Sequence, residues 1–119
     1  MLHIMPESQA NILGVKVTGR FTNQDYQEFL IPRLKPIIEE HGGVRVLLYL
    51  AEDFQGWDLE ALRYDGFGNR HKDDFQKIAV VGGSWWLSLE MSLIAPLIAG
   101  ELRNFSRGEL SEAWAWIRR

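Results

Sequence analysis

The chain has 119 residues, 46% of them hydrophobic, a formal net charge of −3 at pH 7 and no cysteine. That length suits one domain, residues 1–119, whose core needs no disulfide or metal staple. Missing thiols exclude disulfides, thiolate catalysis and cysteine-based zinc sites, and scattered lysines and arginines lack the basic stripe that a nucleic-acid partner requires.

In chain order, residues 2–5 and 12–18 read as two strands around a polar loop and are expected to pair as a hairpin. Thr22 is placed to cap a helix, with Asp25 at the reciprocal position of a capping box and Phe21 positioned to staple against Tyr26. Tyr26, Phe29, Leu30, Leu34, Ile37 and Ile38 keep one face of that helix apolar until Gly42 and Gly43 stop it, and Pro32 and Pro36 are expected to kink it. Residues 44–50 are apolar on both faces apart from Arg45, the pattern of a central strand covered by helices. Asp58 is the expected cap of a following helix, with Trp57 and Leu62 as its staple and Gly66 and Gly68 weakening its middle.

Residues 77–81, a short apolar run ending at Gly82 and Gly83, read as a buried parallel strand. A helix over 85–99 follows, then a more polar edge strand over 101–105, and a last helix whose stripe is Leu110, Ala113, Trp114 and Ile117. The order β-β-α-β-α-β-α-β-α predicts an α/β fold, a mixed, mostly parallel sheet of about five strands with helices on its faces.

Catalytic chemistry finds little support. His3, His41 and His71 stand at no metal-ligand spacing, so no metal and no cofactor is expected. His71 with Asp73 and Asp74 is the best acid–base grouping, but a solvated helix end with Arg70, His71 and Lys72 complementing the dipole accounts for it. Ser84 lacks the G-x-S-x-G frame of a nucleophile elbow and reads as a helix cap, and Gly82-Gly83 lacks the rest of a phosphate-binding loop. Glu39-Glu40 and Asp73-Asp74 read as solvated charge. The expectation is a protein that is not an enzyme.

The 85–99 segment is the unusual one. At 3.6 residues per turn, Ser84, Ser88, Ser92, Ala95 and Ala99 form a small-residue strip and Trp86, Leu89, Leu93 and Leu97 the opposite side. Two readings stay open: a helix packed on both sides, or one that covers an apolar pocket and exposes part of its large-residue face. On the second, Trp57, Tyr64, Phe67, Trp86, Leu89 and Leu93 line a site for an apolar or lipid-like molecule, while Trp85, Trp86, Leu89 and Leu93 meet a membrane surface or a partner. The alternative is a protein-interaction module, a homodimer or partner-docking domain, without a small ligand. The stretch is interrupted by Ser88, Glu90, Ser92 and Pro96 and is too short to span a bilayer, and no secretory leader precedes it, so a cytoplasmic protein, peripheral at the membrane, is expected.

Gly56 to Leu62, then Arg70 to Phe75, then Lys77 to Gly82 with Trp85 or Trp86, then Glu101 to Phe105 and a closing Ala113 to Ile117 together resemble the SpoIIAA-like branch of the STAS domains. The resemblance implies a compact STAS-type fold, similar also to the lipid-binding lobe of Sec14-type (CRAL-TRIO) proteins, and no established enzymatic activity. Relatives of the wider STAS class are switched by phosphorylating a hydroxyl at the helix start after the central strand. Here that junction reads Ala51-Glu52-Asp53-Phe54-Gln55-Gly56-Trp57-Asp58, and no Ser or Thr occurs between Asn23 and Gly83, so no phosphoswitch is expected.

Overall fold

The structure is a computed structural model that describes residues 1–58, 70–83, 92 and 99–119. Its α/β architecture is a five-stranded mixed sheet whose strands, from one edge to the other, are residues 2–4, 12–17, 44–50, 75–81 and 101–105. β1 (Leu2–Ile4) runs antiparallel to β2 (Ile12–Val17), with His3 opposite Lys16, as the expected hairpin requires. β4 (Val44–Leu50), β6 (Phe75–Val81) and β7 (Glu101–Phe105) continue from β2 in parallel, with Val46 beside Ile78 and Ile78 beside Leu102. β7 is an edge, and its exposed Glu101, Arg103 and Asn104 protect that edge from further pairing.

Alternation along the strands divides the core in two. Leu13, Val15 and Val17 of β2, Val44, Val46 and Leu50 of β4 and Val80 of β6 face one side; Leu47, Ala79, Val81 and Phe105 face the other.

The first face is covered by a helical run between β2 and β4. Thr22 caps α1 (Asn23–Asp25) through a complete capping box with Asp25, and Phe21 and Tyr26 are both buried in the same core. A π turn, Tyr26–Leu30, leads into α2 (Ile31–His41), which ends at Gly42 with φ of 75°, where glycine adopts the left-handed cap without steric cost. The distortion expected from the prolines takes the form of that widened turn. The Ile31 amide reaches back to the Tyr26 carbonyl, and Pro32, lacking an amide and crowding the preceding turn, falls just after it. Pro36 stays inside α2.

The second face is closed by α3 (Leu110–Arg118). Its stripe is wider than expected, since Trp116 is buried along with Ala113, Trp114 and Ile117. Trp114 lies so close over β2 that a Cβ added to Gly14 would sit 2.5 Å from its ring. Two strand cations fasten the other end. Arg45 Nη1 donates to the Ile117 carbonyl at 2.9 Å and Lys77 Nζ to the Trp116 carbonyl at 2.9 Å, filling acceptors that a helix C-terminus leaves open.

A second, two-stranded sheet was not foreseen. β3 (Arg20–Phe21) pairs in parallel with β5 (Gly56–Trp57), placing Phe21 beside Trp57. Two residues per strand carry no legible alternation, so only the folded chain reveals the pairing.

Candidate functional site

Of the six expected pocket residues, Trp57 is described; Tyr64, Phe67, Trp86, Leu89 and Leu93 lie outside the described residues, as does Trp85. Trp57 is 7% exposed and belongs to the core of the first face. Its ring meets Phe54 edge to face, with centroids 5.7 Å apart. The structure thus joins Trp57 to Phe21 and Phe54 at the end of β4.

The floor of that face is uneven. Val46 and Val80 are 4% and 2% exposed, whereas Leu48 on β4, Ile78 on β6 and Leu102 on β7 are only partly buried against the same core. Val46 pairs with Ile78 and Ile78 with Leu102, so the half-buried residues step from a central strand to the β7 edge. Side chains on inner strands of such a sheet are ordinarily fully covered. The contrast between 46 and 48 is invisible in a sequence that reads apolar at both.

The junction after β4 is held from three directions. Arg107 Nη2 donates to the Leu50 and Ala51 carbonyls at 3.1 and 3.2 Å, the Gln55 amide to the Gly19 carbonyl at 2.9 Å, and the Phe54 amide to the Ala51 carbonyl at 3.0 Å. Gly82 adopts φ of 99° with the Leu50 carbonyl so near that an added Cβ would lie 2.7 Å away, which accounts for a glycine at the end of β6.

Asp58 has a role that its sequence position did not disclose. Its carboxylate accepts from Arg20 Nη2 at 2.8 Å and from the Asn23 amide at 3.0 Å, so it caps the helix that starts at residue 23. The Arg20 hydrogen bond, then the Asn23 amide, holds this carboxyl below the usual aspartate range. The helix it was expected to cap, with Leu62, Gly66 and Gly68, lies outside the described residues.

The other candidates resolve separately. His71 was expected at a solvated helix end; it directly follows the helical Arg70, and its Nδ1 lies 2.8 Å from Asp74 Oδ2 across a 3-10 turn, Lys72–Asp74, that leads into β6, because a short turn brings residues three apart face to face. His41 contacts Glu40 at 4.0 Å on the opposite side of the sequence from that pair. Among the described residues no three His, Asp or Glu side chains gather as a metal site. Ser84 lies outside the described residues.

The SpoIIAA-like family profile matches residues 12–118. Among solved structures, the chain is similar to an uncharacterized protein of the DUF3478 family with a SpoIIAA-like fold from Shewanella loihica PV-4. That likeness has 20% identity and a TM-score of 0.71, covering 98% of this chain and 92% of the other, and at that identity it speaks for the fold alone. No curated protein matches. None of these findings extends the likeness to the lipid-binding lobe of Sec14-type proteins.

Proposed function

This chain belongs to the SpoIIAA-like family, and from that premise we propose that it is a non-catalytic binding domain that holds an apolar, lipid-like molecule against the first face of its sheet. The observation that carries the reading is the half-buried floor of Leu48, Ile78 and Leu102 beside the closed Val46 and Val80. Apolar surface left open from β4 across β6 to the β7 edge is what an apolar ligand covers. Trp57, Tyr64, Phe67, Trp86, Leu89 and Leu93 are its proposed walls, and Trp85, Trp86, Leu89 and Leu93 the proposed contacts with a membrane surface during uptake. Among the described residues no helix is long and apolar enough to cross a membrane. Absence of any Ser or Thr between Asn23 and Gly83 sets this function apart from a serine or threonine phosphorylation switch.

Organic extraction of the purified chain followed by mass spectrometry is expected to yield a stoichiometric apolar compound. Ile78→Asn is expected to weaken uptake of a fluorescent fatty-acid probe by about tenfold, since one large apolar contact is worth about 1.5 kcal/mol or more. An empty extract together with no saturable uptake overturns the proposal; a dimer in the same samples would then favour a protein interface.

A further inference from the structure

We propose that the second face carries a separate site for a small oxyanion, a carboxylate or phosphate group, built from His3, Lys16 and Tyr49. In the register, His3 of β1 stands opposite Lys16 of β2, and Lys16 stands beside Tyr49 of β4. All three point to the side that α3 covers. Tyr49 and Met5 pack against the cluster of that side, Gly14, two residues from Lys16, meets Trp114, and Leu2, which alternates with His3, lies in the opposite core.

Neighbouring strands stand about 4.8 Å apart, so the three side chains span only about 10 Å. The lysine, the longest, stands in the middle and commands the space between an imidazole and a phenol. An ammonium, a ring N–H and an O–H are all donors suited to anionic oxygen, and bonds to a charged acceptor are the stronger kind.

His3 and Lys16 are exposed and Tyr49 is half-buried, and among the described residues none of the three side chains makes a hydrogen bond or ion pair. Asp25, Asp58 and Glu109 are engaged by Thr22, Arg20 and Ser106, and the exposed Glu52 and Asp53 follow in the loop leaving β4. The row lies toward the ends of the parallel strands β2 and β4, the end at which open α/β sheets bind ligands. Met5 and Leu110, half-buried on the same face, offer an apolar shoulder for the rest of the molecule.

This site is independent of the apolar floor on the opposite face, so either can fail without the other. The test is titration of the full chain with inorganic phosphate and, separately, acetate, followed through the amide resonances of β1 and β2. Saturable shifts with at least one anion are expected; Lys16→Met weakens that binding about tenfold and Tyr49→Phe about threefold, while Lys16→Arg retains it. Phosphatidylcholine vesicles with and without phosphatidic acid distinguish the sources: preference for the acidic vesicles assigns a lipid headgroup, and phosphate binding without that preference assigns a soluble anion. Shifts that never saturate, or equal affinities in the wild type and folded Lys16→Met, overturn the proposal.

Discussion

The two faces of the sheet are closed by different means. On the second, the cover formed by the described residues is one nine-residue helix, where a glycine lets Trp114 descend onto β2 and Arg45 and Lys77 fasten the carbonyls at the helix end. Among the described residues the first buries more beneath a longer helical run; Leu48, Ile78 and Leu102 remain half-buried there, as Met5, Ile12, Tyr49 and Leu110 do on the second. Close packing with satisfied ends makes a rigid element. The difference between the faces lies in how their covers are fastened and in where the half-buried residues stand, along the central strands on the first and around the rim of α3 on the second.

Adjacent residues of β4 put this contrast to its hardest test. Leu47, facing α3, is 0% exposed, and Leu47→Ala is expected to cost about 3 kcal/mol in denaturant unfolding. Leu48→Ala, on the open floor, is expected to cost about 1 kcal/mol, since less area leaves the core. Equal losses would abolish the distinction between the faces.

Next in size is Gly14→Ala. The new methyl would meet the Trp114 ring at 2.5 Å and Met5 Cβ at 3.3 Å, so α3 must lift or tilt. Overpacking of this kind costs about 2 kcal/mol. Unchanged stability, with unchanged near-ultraviolet circular dichroism from the tryptophans, would show that α3 sits more loosely than the first face's helices.

The smallest effect is electrostatic and local. Asp58 is partly exposed, and folding lowers its carboxyl value through Arg20 and Asn23. The folded state therefore holds the proton more weakly than the unfolded chain. The resulting stabilisation is complete above about pH 4 and is lost as pH falls through the lowered value. Thermal melts of wild type and Asp58→Asn should differ slightly at pH 7 and converge as pH is lowered from about 5 to about 2. A difference that stays constant over that window would mean that the charge of the Asp58 carboxylate does not carry the effect.

Wherever one side chain acts on backbone a turn away, the sequence was legible. Thr22 with Asp25 and the stop at Gly42 are contacts within four residues, and the strands betrayed themselves by apolar runs bounded by glycine. The family resemblance rested on other stretches, from Gly56 to Leu62, Arg70 to Phe75, Lys77 to Gly82 with Trp85 or Trp86, Glu101 to Phe105 and Ala113 to Ile117, and the matching family profile agrees with it. Trp57 was singled out for its aromatic ring; the sequence did not show that a parallel pairing of two residues would bury it beside Phe21.

By itself, then, the sequence determined the order of the five strands of the main sheet, the helix start at Thr22 and stop at Gly42, and the two-sided apolar pattern of the central strands, because those depend on backbone preferences and on a period of two or 3.6 residues. Only the tertiary structure decided what meets across distance. Asp58 answers Arg20 and Asn23 from 38 and 35 residues away, Arg45 reaches Ile117 across 72, and Trp114 comes down on Gly14. Such contacts leave no periodic trace along the chain. They exist because parallel strands are joined by long crossovers, which bring distant residues to the same sheet end and give each face its own covering.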